Sequence, residues 1–350
     1  MTDTAPRLAR VQRLLEAAGV LVNPENPDGR ALRARLRETT GLSSAGVDRA
    51  LTHALETRAA DAELQALLAC TPVAPRAHVL LSSNVFVAAL RAIAIGLAAS
   101  ASVRVRASRR DPALAEALHA LAPDSFELVS ALSPTAGEHL WAYGTDATLS
   151  ELRASLPRGV WFHGHGAGFS AVVVDASEWM SADGRAIALD TALFDQQGCL
   201  SPRVVCVLGT PEQSRIVAES IAGELSALEH ELPPGPKTAA AQAEARRDRD
   251  AAAYAFELFD AGQGWVSCGS ELVIPPSERN LHVIDTTAPA TALAPFAAHL
   301  TCISASTPAL RDELRARFAG ARLVALGELQ RPPLDGPVDR RHGTQGELLR

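Results

Sequence analysis

The chain has 350 residues, of which 47% are hydrophobic and 21% charged, and a formal net charge of −7; that is enough for two domains with sizeable cores, and an acidic balance that argues against nucleic acid as the main partner. Five cysteines without a CxxC pair fit a reducing cytoplasm and no structural zinc, and a single lysine, Lys237 in a Pro/Gly-rich stretch, sets aside P-loop NTPases, kinases and pyridoxal enzymes. The opening residues lack the apolar core of a signal peptide, and the longest apolar stretch, 92–101, falls short of the roughly 20 residues a membrane span needs, so a cytoplasmic protein without a span is expected.

Residues 7–70 read as helices, with Leu8, Val11, Leu14 and Leu15 and then Leu32, Leu36, Val47, Leu51 and Leu55 at helical spacing. From Ala77 the texture alternates. Ala77–Leu81 is a short strand, Ser82-Ser83-Asn84 a turn, and Val85–Ala98 an apolar helix. Val103–Ala107 is a strand, Pro112–Leu121 a helix with proline in its first turn, and Leu140–Tyr143 a strand. Asp146 is expected to cap a helix to about Leu156, with strands at Val160–His163 and Phe169–Val174 following. Such alternation predicts a parallel sheet with helices on both faces, which binds dinucleotides at the carboxyl ends of its strands. Further on, 185–197 is expected as a helix leading to Cys199, with a strand at 204–208, a helix at 211–232 and an Ala/Arg/Asp-rich helix at 237–259. Strand-like runs recur at 272–274, 281–284 and 300–303, and the Pro/Gly-rich tail from Arg331 reads as extended. The expected domains are a helical segment over 1–72, a cofactor domain over 73–184, a catalytic domain over 185–325 and an extension over 326–350.

The most informative segment is Phe194-Asp195-Gln196-Gln197-Gly198-Cys199-Leu200-Ser201-Pro202. Glycine before cysteine lets backbone approach a ligand and leaves the thiol uncrowded, and in a helix-to-strand turn the cysteine's own N–H can face a bound carbonyl. The same spacing also suits an ordinary buried cysteine. Asn84 is equally good turn chemistry or a side-chain donor. In His163-Gly164-His165-Gly166 the histidines read either as part of a strand-end loop or as proton carriers; a third ligand at suitable spacing is lacking, so no metal is expected.

The Gln-Gly-Cys run resembles the nucleophile loop of the aldehyde dehydrogenase superfamily, and the longer string around Cys199 resembles the acyl-CoA reductases of the LuxC type. The resemblance extends to Ser83-Asn84-Val85-Phe86, to the 103–112 block, to Tyr143-Gly144-Thr145-Asp146-Ala147 and, more weakly, to Trp265, the 279–283 segment and Pro332-Pro333-Leu334-Asp335-Gly336. It implies an aldehyde-dehydrogenase-like α/β fold: a Rossmann-type parallel-sheet cofactor domain plus a second α/β catalytic domain. It further implies reduction of a fatty acyl thioester, on CoA or an acyl carrier, to the aldehyde with NADPH through an acyl-enzyme on Cys199. Asn84 would then serve the oxyanion, Arg106 and Ser108 the adenosine ribose phosphate, and Gly144-Thr145 the pyrophosphate. An acyl-activating partner and a homo-oligomer are implied in the same way.

The pattern also departs from the superfamily. Where hydrolytic aldehyde dehydrogenases carry a glutamate base in Glu-Leu-Gly-Gly, this chain has the His163–Phe169 stretch, in which His163 or His165 would relay a proton. The Glu-Ile-Phe-Gly-Pro element that holds the nicotinamide ribose is missing, leaving Glu224, Glu229, Glu231 and Glu271 as candidate substitutes. Acyl transfer or thioester cleavage by Cys199 without reduction, and an inactive scaffold for an acyl-activating partner, stand as alternatives.

Overall fold

The computed structural model describes residues 4–350. In chain order the elements begin with four helices, α1 (Thr4–Val22), α2 (Pro27–Thr40), α3 (Ser44–His53) and α4 (Asp61–Cys70). They are followed by β1 (Ala77–Leu80), α5 (Ala88–Ala99), β2 (Val103–Arg106), α6 (Ala113–Leu121), β3 (Glu127–Leu128), β4 (His139–Tyr143), α7 (Asp146–Ser155) and β5 (Trp161–His165). Then come β6 (Phe169–Asp175), α8 (Ser181–Ala192), β7 (Pro202–Leu208), α9 (Pro211–Leu228), α10 (Ala239–Ala255), β8 (Glu257–Ala261) and β9 (Gly264–Gly269). The remainder is β10 (Leu281–Asp285), α11 (Pro289–Leu293), β11 (Leu300–Ala305), α12 (Pro308–Arg317), β12 (Arg322–Val324) and β13 (Glu347–Leu348).

Two compact units emerge. One holds the chain up to Gly41, Ala50–Ala167 and Pro333–Arg350; the other holds Leu42–Arg49 and Gly168–Pro332. The first unit is built on a six-stranded sheet in the order β13-β5-β4-β1-β2-β3. Its five principal strands run parallel, and β13 pairs antiparallel with β5. The order reverses at β1, which makes the carboxyl ends of β1 and β4 a topological switch point. Helix α5 is buried from Leu90 to Ala99, so its single charge, Arg91, must be paired where it lies. Its guanidinium donates to Glu56 Oε1 at 2.6 and 2.9 Å and to the carbonyls of Pro333 and Gly336, and in this way the chain's last segment is tied back to the first unit.

The second unit has a seven-stranded sheet in the order β12-β11-β6-β7-β10-β9-β8, parallel except for the β8–β9 hairpin. Strand β6 is buried along nearly its whole length, as a central parallel strand should be. On one face Phe169, Ala171 and Val173 pack with Val204, Ile303, Leu310 and Leu314.

Several boundaries differ from the sequence reading, each for a physical reason. The expected domain border at 184/185 and the division after Ala167 differ because β6 pairs with β7 and β11 rather than with β5. The helix expected over 237–259 stops at Ala255, since 257–261 finds a hairpin partner in 264–269. The run 272–274 forms no strand; Leu272 and Ile274 pack against the core instead. Thr145, not Asp146, caps α7, its Oγ1 accepting from the N–H of Thr148 at 3.2 Å.

Strands β4 and β5 align His139 with Trp161, Trp141 with His163 and Tyr143 with His165, and the rings stack along one face of the sheet. Trp141 and His163 centroids lie 4.3 Å apart, Tyr143 and His165 4.6 Å. His139 Nδ1 and His163 Nε2 share a hydrogen bond of 2.9 Å. The tail closes over this ladder at Gly346, whose positive φ of 76° suits glycine and where a Cβ would meet the His163 ring at 2.6 Å. Burial holds all three histidines neutral, lowering His139 and His165 to about 4 and His163 to about 3.

An unfolded histidine titrates near 6.5, so between that pH and the folded values the unfolded chain binds the extra protons. The stability from these rings is therefore complete above pH 6.5 and lost as pH falls towards 4, at about 2 kcal/mol per ring by pH 5. His163→Phe is expected to recover about that amount of the acid loss; urea unfolding at pH 7 and pH 5 measures it, and an unchanged pH slope would refute the account.

Candidate active site

In the first unit the expected cofactor residues gather at one end of the sheet, together with Asn84, the expected oxyanion donor. Asn84 is exposed on the turn after β1, Arg106 ends β2, Ser108 follows it, and Gly144-Thr145 follow β4. These strands are adjacent in the order β4-β1-β2, so the chain brings Asn84, Arg106 and Thr145 to neighbouring carboxyl ends. Arg104 is held by Glu127, its Nε donating at 3.0 Å, whereas among the described residues Arg106 makes no ion pair. Ser108 Oγ accepts the N–H of Arg110 at 3.2 Å and shapes the turn.

The acidic side chain at the start of α7 does not oppose an anion there. Asp146 Oδ1 accepts the N–H of Ala167 at 2.9 Å, and a Cβ on Gly166 would meet that oxygen at 2.1 Å. The carboxylate is spent on the end of β5, leaving the exposed Thr145 cap and the positive helix terminus. These residues fit a dinucleotide.

Strand β5 runs on to His165, two residues past the end expected at His163, so both histidines stand on the strand and the alternative of a strand-end loop is corrected. His163 is 5% exposed and engaged with His139, so its role is to pack the ladder. His165 Nδ1 lies 3.9 Å from Asp339 Oδ2, and Asp339 is gripped by Arg341 through two bonds of 2.8 Å. Among the described residues no group of three His, Cys, Asp or Glu could hold a metal ion.

Cys199 lies in the second unit, between α8 and β7, at the amino end of its sheet. Helix α8 stops at Ala192, short of the expected 197, because Phe194, Asp195 and Gln196 adopt φ of 56°, 49° and 61°. Such left-handed residues cost roughly 1–3 kcal/mol each outside glycine. They turn the chain sharply, after which Gln197 is exposed and Gly198, Cys199 and Leu200 are half-buried.

The turn is held from several sides. Asp195 Oδ1 accepts Arg279 Nη2 at 2.7 Å and Nε at 3.2 Å, and its Oδ2 accepts the N–H of Gly235 at 2.9 Å. Gln196 donates to the carbonyls of Pro202 and Asn280 and accepts the N–H of Asn280 at 2.9 Å. Ser170 Oγ donates to the Cys199 carbonyl at 3.0 Å, and Gln330 Nε2 to Ser201 Oγ at 3.1 Å. The remaining cysteines of this unit are poor nucleophiles: burial pushes Cys206 up to about 12, Cys268 to about 11 and Cys302 higher still.

Sequence spacing marked Cys199 but missed Asp195, Gln196, Arg279 and Asn280 as partners, since nothing local links positions so far apart. Of the candidate ribose carboxylates, Glu231 pairs with Arg185 at 2.8 Å and Glu229 accepts the N–H of Gln263 at 2.7 Å. Glu224 stands 3.9 Å from Arg185.

Residues 132–295 match the family model described as acyl-CoA reductase (LuxC). No curated protein matches the chain. Among solved structures, an oxidoreductase from Marinobacter aquaeolei is similar, with 11% identity, coverage of 99% of this chain and 86% of that one, and a TM-score of 0.69. A NAD-dependent benzaldehyde dehydrogenase from Corynebacterium glutamicum shows 13% identity over 91% of this chain and 81% of that one, with a TM-score of 0.68. Lactaldehyde dehydrogenase from Escherichia coli shows 13% identity over 91% and 78%, with a TM-score of 0.62. At such identities the likeness is one of fold. Residues 132–295 are thus similar to the acyl-CoA reductase (LuxC) family, within a chain whose fold is that of the aldehyde dehydrogenases.

Proposed function

We propose that the protein reduces a fatty acyl thioester, on CoA or an acyl carrier, to the aldehyde with NADPH, through a thioester on Cys199. The observation that carries this reading is the presentation of Cys199 on a clamped left-handed turn, within a segment that matches the acyl-CoA reductase family. In the first step the Cys199 thiolate attacks the acyl carbonyl, and the donor leaves as a thiolate that takes up a proton from water. The nicotinamide cofactor supplies hydride to the acyl carbon. Collapse of the resulting oxyanion releases the aldehyde and returns the thiolate.

Each remaining role has its support. The Cys199 N–H, set by the turn, and Asn84, exposed on its own turn, are the proposed oxyanion donors; one such donor supplies roughly 2.7–4 kcal/mol to a transition state. Arg106 is proposed to grip a 2′-phosphate with its planar fork, assisted by Ser108, with Gly144-Thr145 at the pyrophosphate. His165, held neutral by burial and with its Nε2 lacking a partner in the structure, is a weak base and is proposed only as a relay for the proton that the leaving thiolate takes up. Among the described residues no helix is long and apolar enough to cross a membrane. A cytoplasmic setting, an acyl-activating partner and self-association belong to the same proposal.

Incubation with radiolabelled acyl-CoA tests it directly. Wild type should hold the label and convert it to aldehyde on addition of NADPH, while Cys199→Ala should hold none and lose aldehyde formation by at least about 1,000-fold. Label retained by Cys199→Ala would sink the proposal; label without NADPH-dependent aldehyde would select acyl transfer. Arg106→Gln should raise KM for NADPH about 10- to 100-fold, leaving KM for acyl-CoA within about twofold, as expected for one charge-assisted contact. An equal effect with NADH would contradict the 2′-phosphate assignment.

A further inference from the structure

Among the described residues five that are not glycine have positive φ: Phe194, Asp195, Gln196, Glu278 and Arg279. All five stand at the two ends of one ion pair, Asp195–Arg279, or next to it. Bulky residues rarely take this conformation, and when they do, the surrounding structure must impose it. Here that structure is specific. The Arg279 guanidinium, 3% exposed, reaches Asp195 Oδ1 and the Leu232 carbonyl, the latter at 2.8 Å. Its backbone fits because Gly264 has no side chain: a Cβ there would meet the Arg279 carbonyl oxygen at 2.3 Å. One residue further along each segment, Gln196 and Asn280 join through both an N–H donor and an N–H acceptor.

The clamp grips the side chains of Asp195 and Gln196. The second grip lies at Ser201, through Gln330 and through its own N–H to the Gly198 carbonyl at 3.1 Å. Gln197, Gly198, Cys199 and Leu200 run between these two fixed points, with the Cys199 carbonyl held by Ser170 Oγ at 3.0 Å. We infer that Asp195 and Arg279, with Gln196 and Asn280 beside them, are positioning residues that aim the Cys199 sulfur and N–H at the acyl carbonyl without touching substrate. This inference rests on Cys199 being the nucleophile. It assigns the 279–280 segment, distant in sequence from the cysteine, to the working of the same loop.

The chain supplies its own control for unfolding, because Cys206 and Cys302 are buried at 0% exposure and alkylate only if the core opens. In the full-length protein, Asp195→Ala should slow single-turnover acylation by palmitoyl-CoA about 100-fold, the cost of a displacement near 1 Å. The KM for palmitoyl-CoA should stay within threefold, and Cys206 and Cys302 should remain unlabelled by iodoacetamide. Asp195→Asn keeps one acceptor oxygen for Arg279 and tolerates left-handed backbone, so it should restore the rate to within about 10-fold of wild type. Acylation by Asp195→Ala within threefold of wild type overturns the inference. So does a slow rate accompanied by labelling of Cys206 and Cys302, or an Asp195→Asn variant no better than Asp195→Ala. Cys199→Ala, run in parallel, separates the two claims: acylation there removes the nucleophile itself, whatever Asp195 does.

Discussion

The buried pair between Asp195 and Arg279 governs how the second unit presents its chemistry. Two charges taken from water lose several kcal/mol of hydration each, and the pair repays this only if the remaining donors and acceptors are met. They are met here by Leu232 and Gly235. A pair of this kind is a weak source of net stability, and apolar replacements often serve a core as well. What apolar side chains cannot do is hold three successive non-glycine residues in left-handed backbone with fixed direction. Directionality is what the pair adds, and the turn it holds is the one from which Cys199 projects.

The two sheets divide the labour along a physical line. In the first, parallel strands deliver their following loops to a crevice at the β1/β4 switch, where turn N–H groups and the start of α7 favour an anion. In the second, Cys199 comes from the loop that enters β7, at the amino end of the sheet, and its carbonyl is bonded to Ser170 at the start of the neighbouring β6. A carboxyl-end loop offers N–H groups to phosphate. An amino-end loop placed after a stopped helix offers a side chain on rigid footing, with the strand pairing of β6 and β7 fixing what lies behind it.

Much of this was legible in the sequence where the signal is local. The alternation of apolar runs from Ala77 onward pointed to the parallel sheets, and Gly198-Cys199 marked the candidate nucleophile. The alternation could not show that β6 leaves the first sheet, because a fully buried parallel strand carries no mark of which neighbours it takes. Nor could it show that the helix before Cys199 stops at Ala192: Phe-Asp-Gln continues a helical pattern, and it is Arg279, reached only through folding, that pulls Asp195 out of it. The ladder of His139, Trp141, His163 and His165 was hidden for the same reason. Each strand carries a ring at every second position, His139, Trp141 and Tyr143 on one and Trp161, His163 and His165 on the other, but only their register reveals that the rings stack.

That stacking bears on the choice between reduction and hydrolysis. An acyl-enzyme is lost if a base activates water against it, so a reductase gains by having none. In the stretch where hydrolytic relatives place a glutamate, this chain has His163 and His165, and a carboxylate is not what replaces the glutamate's volume. His163 Nε2 is bonded to His139, and its ring is roofed by Gly346. His165 has a basicity depressed to about 4, which makes it a poor base for abstracting a proton from water at neutral pH. Burial that serves packing of the β4–β5 face thus also leaves both histidines weak bases, and the two consequences come from the same stacked rings.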